Sequence, residues 1–256
     1  MPVRTHRAEL GGTATNLVRV AARLGVATGL VARVGDGFPR EYMTSLRAAG
    51  IDVRGVEVVR GTPTPTCFIL EDRRHSQRTL IDQGAMEATR AARLPTRLLP
   101  EYAWLHLTTA DPAFQLRLLD TARRHGLHVA ADPAQEIHYR WSRSAFRTLL
   151  RGSEVLFGNR SEIDRALEFV GGDRPAALLE WVPLVIRTEG RKGATAFSRA
   201  GVVHAGGVAP KRVRTLVGAG DAFRGGFYAA WFAGQPIAHC LAAGTRAGAH
   251  WIEGRR

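Results

Sequence analysis

The sequence predicts an α/β protein with a mostly parallel, doubly wound β-sheet, helices on both faces of that sheet and a small antiparallel β lid. Helical and strand patterns alternate along most of the 256 residues, which is typical of a parallel sheet covered on both faces. Short strand patterns separated by turn residues interrupt this alternation between residues 55 and 82. We therefore expect residues 1–54 and 83–256 to form one domain and residues 55–82 to form the lid.

Three elements precede the expected lid. A helix is predicted over Thr13–Leu24, where apolar residues recur on one face, and a strand is predicted over Thr28–Ala32. A second helix, Pro39–Ala49, begins at a proline and ends before Gly50. This helix–strand–helix order is the expected start of the α/β domain.

The expected lid contains three short strands, Val56–Val59, Thr66–Leu70 and Arg78–Ile81. Turn residues separate these runs, so the pattern predicts antiparallel pairing. Ligands of open α/β sheets bind at the carboxyl ends of the strands. A flap over that edge would cover the ligand crevice.

Regular alternation returns after the lid. The expected strands are Ala103–Leu107, His128–Ala131, Glu154–Phe157, Leu184–Arg187, Ala194–Ser198 and Val202–Ala205. The expected helices are Pro112–His125, Arg160–Phe169, Ala219–Phe232 and Ile237–Trp251. These elements supply most of the expected sheet and its covering helices.

The composition excludes several classes of protein. A content of 45% hydrophobic and 23% charged residues is typical of a globular protein rather than a disordered one. No apolar run approaches the roughly 18 residues of a membrane helix, and the first ten residues lack the apolar core of a signal peptide. The two cysteines, Cys67 and Cys240, are far apart, which argues against a zinc site and suits a reducing cytoplasm. We expect a cytoplasmic protein with no membrane partner.

The formal net charge of +13 raises the question of a nucleic-acid partner. Only two lysines occur, Lys192 and Lys211, and the arginines are scattered rather than gathered in one tract. A basic tail or helix face is the better sign of a polyanion partner. We therefore expect no nucleic-acid partner, whereas the charge would help attract an anionic small molecule such as a nucleotide.

The segment Gly218-Ala219-Gly220-Asp221 is the most informative motif, because its small residues run directly into an apolar helix. A helix start exposes unpaired N–H groups and the positive end of the helix dipole, and glycines let the backbone approach an anion. A carboxylate in that first turn is placed to accept a proton from an attacking hydroxyl. A glycine-rich turn with an acidic helix cap explains the local pattern equally well.

Three further motifs each have a structural interpretation beside a functional one. In the structural interpretation, Gly11-Gly12 through Asn16 is a turn and helix cap. In the functional interpretation, it holds a polyhydroxyl substrate. Asn159-x-x-Glu162 has the spacing of a capping box, or lies where a metal-bound phosphate would bind. Thr188-x-Gly190-x-x-Gly193 is a hairpin turn, or a loop that contacts nucleotide phosphates.

Taken together, in this order and at these separations, the four motifs resemble the pfkB (ribokinase-like) family of sugar and nucleoside kinases. Residues 218–223 resemble the second family signature, and Gly11-Gly12 through Asn16 resembles the first. Asn159-x-x-Glu162 is similar to the magnesium and phosphate motif of the family, and Thr188-x-Gly190-x-x-Gly193 to its nucleotide loop. Each motif alone is weakly specific, whereas the ordered set covers nearly the whole chain.

The resemblance implies a ribokinase-like fold and transfer of the γ-phosphoryl group of ATP to an alcohol. Asp221 would be the base, and the backbone of Gly218, Ala219 and Gly220 would form the anion hole. Glu162 and Asn159 would hold Mg²⁺ through water. The ATP contacts implied by the family are Asn159, Thr188, Gly190 and Gly193. The implied acceptor contacts are Gly11, Gly12, Asn16 and Asp221.

Two stretches are more similar to the nucleoside-kinase branch than to ribokinase itself. They are Ser76-Gln77-Arg78 followed by Gly84-Ala85-Met86, and residues 131–136 followed by Trp141. We therefore favour a nucleoside such as adenosine or cytidine as acceptor. A sugar of the ribose, fructose or ketodeoxygluconate type is the alternative.

The chain departs from the family pattern at two places that affect function. Ten residues precede Gly11 and contain neither the strand nor the aspartate that the family carries there. This keeps open a pfkB-fold protein that binds nucleotide but is weakly active or non-catalytic. Thr215-Leu216-Val217 replaces the usual Asp-Thr sequence, which leaves open whether a monovalent cation such as K⁺ binds there. The free edges of the lid strands favour a homodimer formed through the lid.

Overall fold

The computed structural model describes residues 6, 8–71 and 77–254, so Ser76 and part of the expected lid lie outside the described residues. The strands within these residues are β1 (Gly29–Gly35), β2 (Asp52–Val59), β3 (Thr66–Glu71), β4 (Gln77–Asp82), β5 (Trp104–Leu107), β6 (His128–Ala131), β7 (Val155–Asn159), β8 (Leu184–Thr188), β9 (Ala194–Ser198) and β10 (Gly201–Ala205). The α-helices are α1 (Thr13–Arg23), α2 (Arg40–Ala48), α3 (Pro112–Arg124), α4 (Arg143–Arg151), α5 (Arg160–Val170), α6 (Ala219–Phe232) and α7 (Ile237–Ile252). None of these helices is long and apolar enough to cross a membrane.

The main sheet has six strands in the order β10-β9-β8-β7-β6-β5. Strands β5 to β8 are mutually parallel, whereas β9 and β10 extend the sheet as antiparallel strands. The expectation of a mostly parallel α/β sheet is confirmed. Because parallel strands end at the same edge, the segments that follow β5, β6, β7 and β8 lie along one side of the sheet.

Two hydrophobic clusters cover the two faces of this sheet, because successive side chains of a strand point to opposite faces. Val129 and Leu156 belong to the cluster that contains residues of α3, α4 and α5. Their neighbours Ala130 and Phe157 belong to the cluster that contains residues of α1, α6 and α7. Helices therefore cover both faces, as the alternating pattern predicts.

Strand β2 differs from the expectation of an antiparallel lid strand. It pairs in parallel with β1 over Asp52–Val59, and the two strands form a sheet of their own. The antiparallel assignment of Val56–Val59 is therefore wrong, because alternation along a strand indicates which face is buried but not which strand is its partner. Tyr102 links the smaller sheet to the segment before β5 by donating a hydrogen bond of 2.8 Å to Asp52 Oδ2.

The antiparallel hairpin of β3 and β4 matches the other two strands expected in the lid. Phe68 and Leu80 face each other across the hairpin and are 54% and 59% exposed. An isolated two-stranded hairpin is only marginally stable in water. The apolar surface of this hairpin is therefore the part of the fold that would gain most from a covering partner.

Two glycines allow α6 to lie close to its neighbouring helices. A Cβ atom on Gly225 would lie 2.8 Å from Val20 Cβ of α1, and one on Gly226 would lie 2.5 Å from Ala247 Cβ of α7. Neither distance is compatible with a side chain at these positions. The glycine pair after Asp221 thus fixes the position of α6 between α1 and α7 rather than contacting a ligand.

Candidate active site

The first turn of α6 forms the centre of the candidate site. Gly218 is the N-cap of this helix and adopts the left-handed conformation with φ 81°, which favours glycine. The N–H of Ala219 makes a long hydrogen bond of 3.4 Å to Leu216 O, and Asp221 lies within the same turn. The helix start therefore brings N–H groups and a carboxylate to one partly exposed surface.

Asn16 of α1 contacts this turn from the neighbouring helix. Its side-chain amide donates a hydrogen bond of 2.9 Å to Asp221 Oδ2. Its Oδ1 atom is buried and has no hydrogen-bond partner among the described residues. A buried acceptor without a donor is costly, so this atom is a natural contact for a hydroxyl of a bound ligand.

The loop before α6 is held from the opposite side by Trp251 of α7. The Trp251 indole N–H donates a hydrogen bond of 2.7 Å to Val217 O. A Cβ atom on Gly218 would lie 2.9 Å from Trp251 Nε1 and 3.0 Å from Asn16 Nδ2. Gly218 therefore lets the chain pass between these two side chains and turn directly into the helix.

The carboxyl group of Asp221 has an altered proton affinity. Burial raises its pKa to about 6, although the charge of Arg224 and the hydrogen bond from Asn16 oppose this change. A carboxyl group with this pKa is mostly ionised at neutral pH and is a stronger base than an exposed aspartate.

Asn159 and Glu162 form a complete capping box at the start of α5. Asn159 Oδ1 accepts a hydrogen bond of 3.0 Å from Glu162 N, and Glu162 Oε2 accepts one of 2.7 Å from Asn159 N. The capping interpretation is thus confirmed. Because only Oε2 of Glu162 takes part in the capping box, the second carboxylate oxygen is available for another contact.

The surroundings of Glu162 fit a divalent cation. Burial raises its pKa, and the negative charges of Asp132 and Asp221 raise it further. Excess negative charge and oxygen donors suit Mg²⁺, which binds through one or two carboxylates and keeps several waters. Among the described residues, no group of three or more His, Cys, Asp or Glu side chains is arranged to hold a metal ion.

The loop after β8 lies beside Asn159. Thr188 is paired with Asn159 in the register of β7 and β8, so both end at the same edge of the sheet. Gly190 and Gly193 have φ values of 58° and 96°, and a Cβ atom on Gly193 would lie 2.0 Å from Ala205 O. Gly193 thus lets this loop lie directly against the end of β10, whereas a Cβ atom on Gly190 would meet nothing within 4 Å.

Gly11 and Gly12 lie at the start of α1 and are exposed. Gly12, with φ 101°, is the N-cap of α1. The next residue, Thr13, makes a hydroxyl–hydroxyl hydrogen bond of 2.7 Å with Thr109, which follows β5.

The structure thus groups the predicted site residues in two sets. Asn16, Gly218 and Asp221 are in direct contact, and Gly11 and Gly12 lie at the N-terminus of the helix that contains Asn16. Asn159, Glu162 and Thr188 lie together at the ends of β7 and β8.

Comparison with known proteins shows to which family this chain belongs. The model of the pfkB family carbohydrate kinases matches residues 2–255. The chain belongs to this family. It is thus a kinase, a phosphotransferase that acts on a hydroxyl acceptor.

The pfkB kinase is similar to proteins from archaea and bacteria. It is 34% identical over 232 residues to the nucleoside kinase of Methanothermobacter thermautotrophicus, covering 90% of this chain and 74% of the relative. The structure of the Methanocaldococcus jannaschii nucleoside kinase, an archaeal member of the ribokinase family, superimposes with a TM-score of 0.87 at 25% identity, covering 95% of this chain and 80% of that one. A ribokinase II candidate from Escherichia coli in complex with ATP and Mg²⁺ has a TM-score of 0.84 at 22% identity, covering 98% and 86%. The ribokinase-like fold is confirmed.

The kinase also contains a buried ionic group that the sequence analysis missed. Arg224, one turn after Asp221, pairs with Asp132 at the carboxyl end of β6, and its Nη2 lies 2.7 Å from Asp132 Oδ1. His106 of β5 lies 3.4 Å from Asp132 Oδ2 through Nε2. These residues are far apart in sequence, so no local spacing indicates the group.

Two further carboxyl groups, those of Glu189 and Glu136, were also not predicted from the sequence. Glu189, beside Thr188, lies 2.7 Å from Arg160 and 3.1 Å from Arg187. Glu136 accepts a hydrogen bond of 2.9 Å from the N–H of Ala110, and burial raises its pKa to about 7. Both carboxylates lie in segments that follow strand ends, which is the one sequence signal that they share with the motif residues.

Proposed function

We propose that this kinase transfers the γ-phosphoryl group of ATP to a hydroxyl of a nucleoside of the adenosine or cytidine type, with Asp221 as the base. One observation carries the proposal: Asp221 lies in the first turn of α6, where Asn16 donates a hydrogen bond to its carboxylate. A helix start of this kind favours anions such as phosphate. A base for the hydroxyl and a binding site for the phosphoryl group are thereby adjacent.

The proposed step needs one proton transfer and one phosphoryl transfer. Asp221 accepts the proton of the acceptor hydroxyl while the hydroxyl oxygen forms a bond to the γ-phosphorus. The bond from that phosphorus to the oxygen shared with the β-phosphate breaks, and ADP leaves. The backbone of Gly218, Ala219 and Gly220 would stabilise the negative charge on the transferred group. The raised pKa of Asp221, about 6, suits a base that must be ionised at neutral pH.

The donor side of the site is assigned to the edge formed by β7 and β8. Asn159, Thr188, Gly190 and Gly193 would contact ATP, because they lie together where the strands end and the loop backbone is tightly turned. Glu162 and Asn159 would hold Mg²⁺ through water. When bound, Mg²⁺ would neutralise phosphate charge. Whether K⁺ binds the loop at Thr215 stays open and is tested by assaying with and without this ion.

The acceptor side is assigned to α1 and the helix start that it contacts. Gly11, Gly12, Asn16 and Asp221 would hold the hydroxyls, and the unpartnered Oδ1 of Asn16 supports this assignment. Similarity to two archaeal nucleoside kinases favours a nucleoside. A sugar such as ribose, fructose or ketodeoxygluconate is the second candidate, because the family model describes carbohydrate kinases.

We further propose that residues 55–82 act as the lid over this site and that two copies associate through it. The exposed apolar side chains of the β3–β4 hairpin, Phe68 and Leu80 among them, support an association that covers them. A cytoplasmic location and the absence of a nucleic-acid partner stay predictions from the sequence.

The acceptor is tested by product analysis. Purified protein, ATP and Mg²⁺ are incubated separately with adenosine, cytidine, ribose, fructose and ketodeoxygluconate, and phosphorylated products are identified by mass spectrometry. We expect a nucleoside monophosphate from adenosine or cytidine. Phosphorylation of a free sugar in preference to either nucleoside would select the second candidate.

A further inference from the structure

Arg224 lies buried directly beneath the backbone of the proposed anion hole. The residue is 6% exposed, and its Nη1 atom lies 2.8 Å from the position that a Cβ atom on Gly220 would occupy. A side chain at position 220 would therefore collide with the guanidinium group. The guanidinium supports the first turn of α6 from its inner side.

Two other elements fix the orientation of this guanidinium. Asp132, which follows β6 and is 2% exposed, pairs with both Nε and Nη2 of Arg224. His106 of β5 contacts the same carboxylate and lies 2.8 Å from the hydroxyl of Tyr228 through Nδ1. Because a paired planar guanidinium has little freedom, Arg224 is held in one position relative to Asp221.

The charges around Arg224 are predominantly negative. The ionisable groups that face it are Asp221 and Tyr228 on the same helix, Asp132 after β6, Glu162 on α5 and His106 on β5. Burial lowers the pKa of His106, so its imidazole is neutral at neutral pH. Burial would raise the pKa of Asp132, but the charge and hydrogen bond of Arg224 together with the contacts of His106 outweigh burial and hold that pKa below its usual value. One guanidinium thus stabilises three carboxylates.

A buried ion pair contributes little net stability, since apolar replacements of such pairs are often neutral or stabilising. We propose that Arg224 is a positioning residue that keeps Asp221 ionised for proton transfer and supports the anion-hole backbone, with Asp132 as its orienting counter-charge. This inference rests on the proposed function of Asp221. It assigns to Arg224 an effect on the charge of the base that a merely structural ion pair would not have.

The first test is the pH dependence of turnover in Arg224→Met, Arg224→Lys and the double variant Arg224→Met/Asp132→Asn. The double variant removes both charges of the ion pair, so Asp132 is not left as a buried carboxylate without its partner, should Arg224→Met fail to fold. In Arg224→Met we expect kcat at neutral pH to fall about tenfold or more and the acid limb of the profile to move up by about one pH unit. The double variant should move the acid limb in the same direction by less, because it also removes the Asp132 charge, which raises the pKa of Asp221. Arg224→Lys should restore the acid limb towards the wild-type position.

The control variant is Arg246→Met, which removes an exposed arginine of α7. Its profile should match that of the wild type. A uniform loss of kcat at every pH in the Arg224 variants, with the acid limb unmoved, would show a structural ion pair and overturn the inference.

The second test does not depend on turnover. Carbon NMR titration of ligand-free protein labelled at its aspartate carboxyl groups follows Asp221 directly, and the Asp221→Asn variant identifies its signal. We expect the pKa of Asp221 to rise from Asp132→Asn to the double variant, which differ only at position 224. Asp132→Asn is the reference because the Asp132 charge itself raises the pKa of Asp221. If wild-type protein has no kinase activity but this rise is observed, the proposed function fails while the charge effect of Arg224 stands. An unchanged pKa in an active kinase would overturn the inference alone.

Discussion

Asn16 and Asp221, which are 205 positions apart, are joined by a hydrogen bond of 2.9 Å from the amide of Asn16 to Oδ2 of Asp221. This contact connects the helix that follows the first glycine pair to the helix that follows the second glycine motif. It is thus the point at which the proposed acceptor site and the proposed phosphoryl site meet. The predictions below follow from this contact and from the charges and surfaces around it.

Removing the amide of Asn16 should weaken binding of the acceptor. In Asn16→Ala we expect KM for the acceptor to rise about tenfold or more, because two polar contacts of the buried site disappear. KM for ATP should change less, since Asn16 lies on α1 and the proposed ATP contacts lie on β7, β8 and the loop that follows β8. Steady-state kinetics with each substrate varied in turn measures both values. An increase confined to the KM for ATP would contradict the assignment of Asn16.

The Asp221→Asn substitution should stabilise the fold in a pH-dependent way. The pKa of Asp221 is about 6 in the folded protein and near the ordinary value of about 3.9 in the unfolded chain. Below about pH 4 the carboxyl is protonated in both states, whereas above the folded pKa a charge is buried on folding. The variant should therefore be more stable than wild type at about pH 8, by about 1–3 kcal/mol, and equal to it at about pH 4.

Urea unfolding at the two pH values measures this difference. Asp164→Asn, at an exposed position of α5, is the matched control and should show no comparable pH-dependent gain. A gain of the same size at both pH values would mean that the charge of Asp221 is not its source.

Replacing Glu162 should raise the requirement for magnesium. Glutamine retains the oxygen that completes the capping box, so the Glu162→Gln variant should fold normally. Loss of the negative charge should raise the Mg²⁺ concentration for half-maximal activity about tenfold or more. Glu168→Gln, a charge removal at an exposed position of the same helix, should leave the titration unchanged. An unchanged titration in Glu162→Gln would leave Glu162 with its capping role alone.

A charge on the exposed lid should prevent association of two copies. We expect Leu80→Lys to convert a dimer into a monomer, because Leu80 is among the most exposed apolar side chains of the β3–β4 hairpin. Light scattering coupled to size-exclusion chromatography measures the mass in solution. Val202→Lys introduces the same charge at an exposed apolar position of β10 and should leave the dimer intact. A monomeric wild-type protein would remove the dimer proposal.

Much of the fold follows from periodicity, and its failures have identifiable causes. The expected Ala103–Leu107 and His128–Ala131 correspond to β5 and β6 within one residue, because a short apolar run between turns specifies a buried strand. The sequence analysis did not predict α4, although Ser142 caps it and Phe146, Leu149 and Leu150 are buried along one face. The pairing of β2 with β1 depends on tertiary contacts, so no local sequence pattern indicates it.

The residues of the candidate site also differ in whether the sequence alone indicates them. Asp221 and the glycines before it are adjacent in sequence, so a local pattern indicates them. Asn159 and Glu162 satisfy each other as a capping box, so their spacing alone does not distinguish a structural role from metal binding. The pair of Arg224 and Asp132 forms only when α6 lies against the end of β6, 92 positions away in sequence. Such long-range charge pairs require the fold before they can be recognised.

The most direct test of the central claim is ATP consumption by wild-type protein and by Asp221→Asn, with Mg²⁺ and a nucleoside acceptor. We predict acceptor-dependent turnover in the wild type and a loss of at least about 10²-fold in the variant, with the fold preserved. Near-normal turnover in a folded Asp221→Asn variant would contradict the assignment of Asp221 as the base.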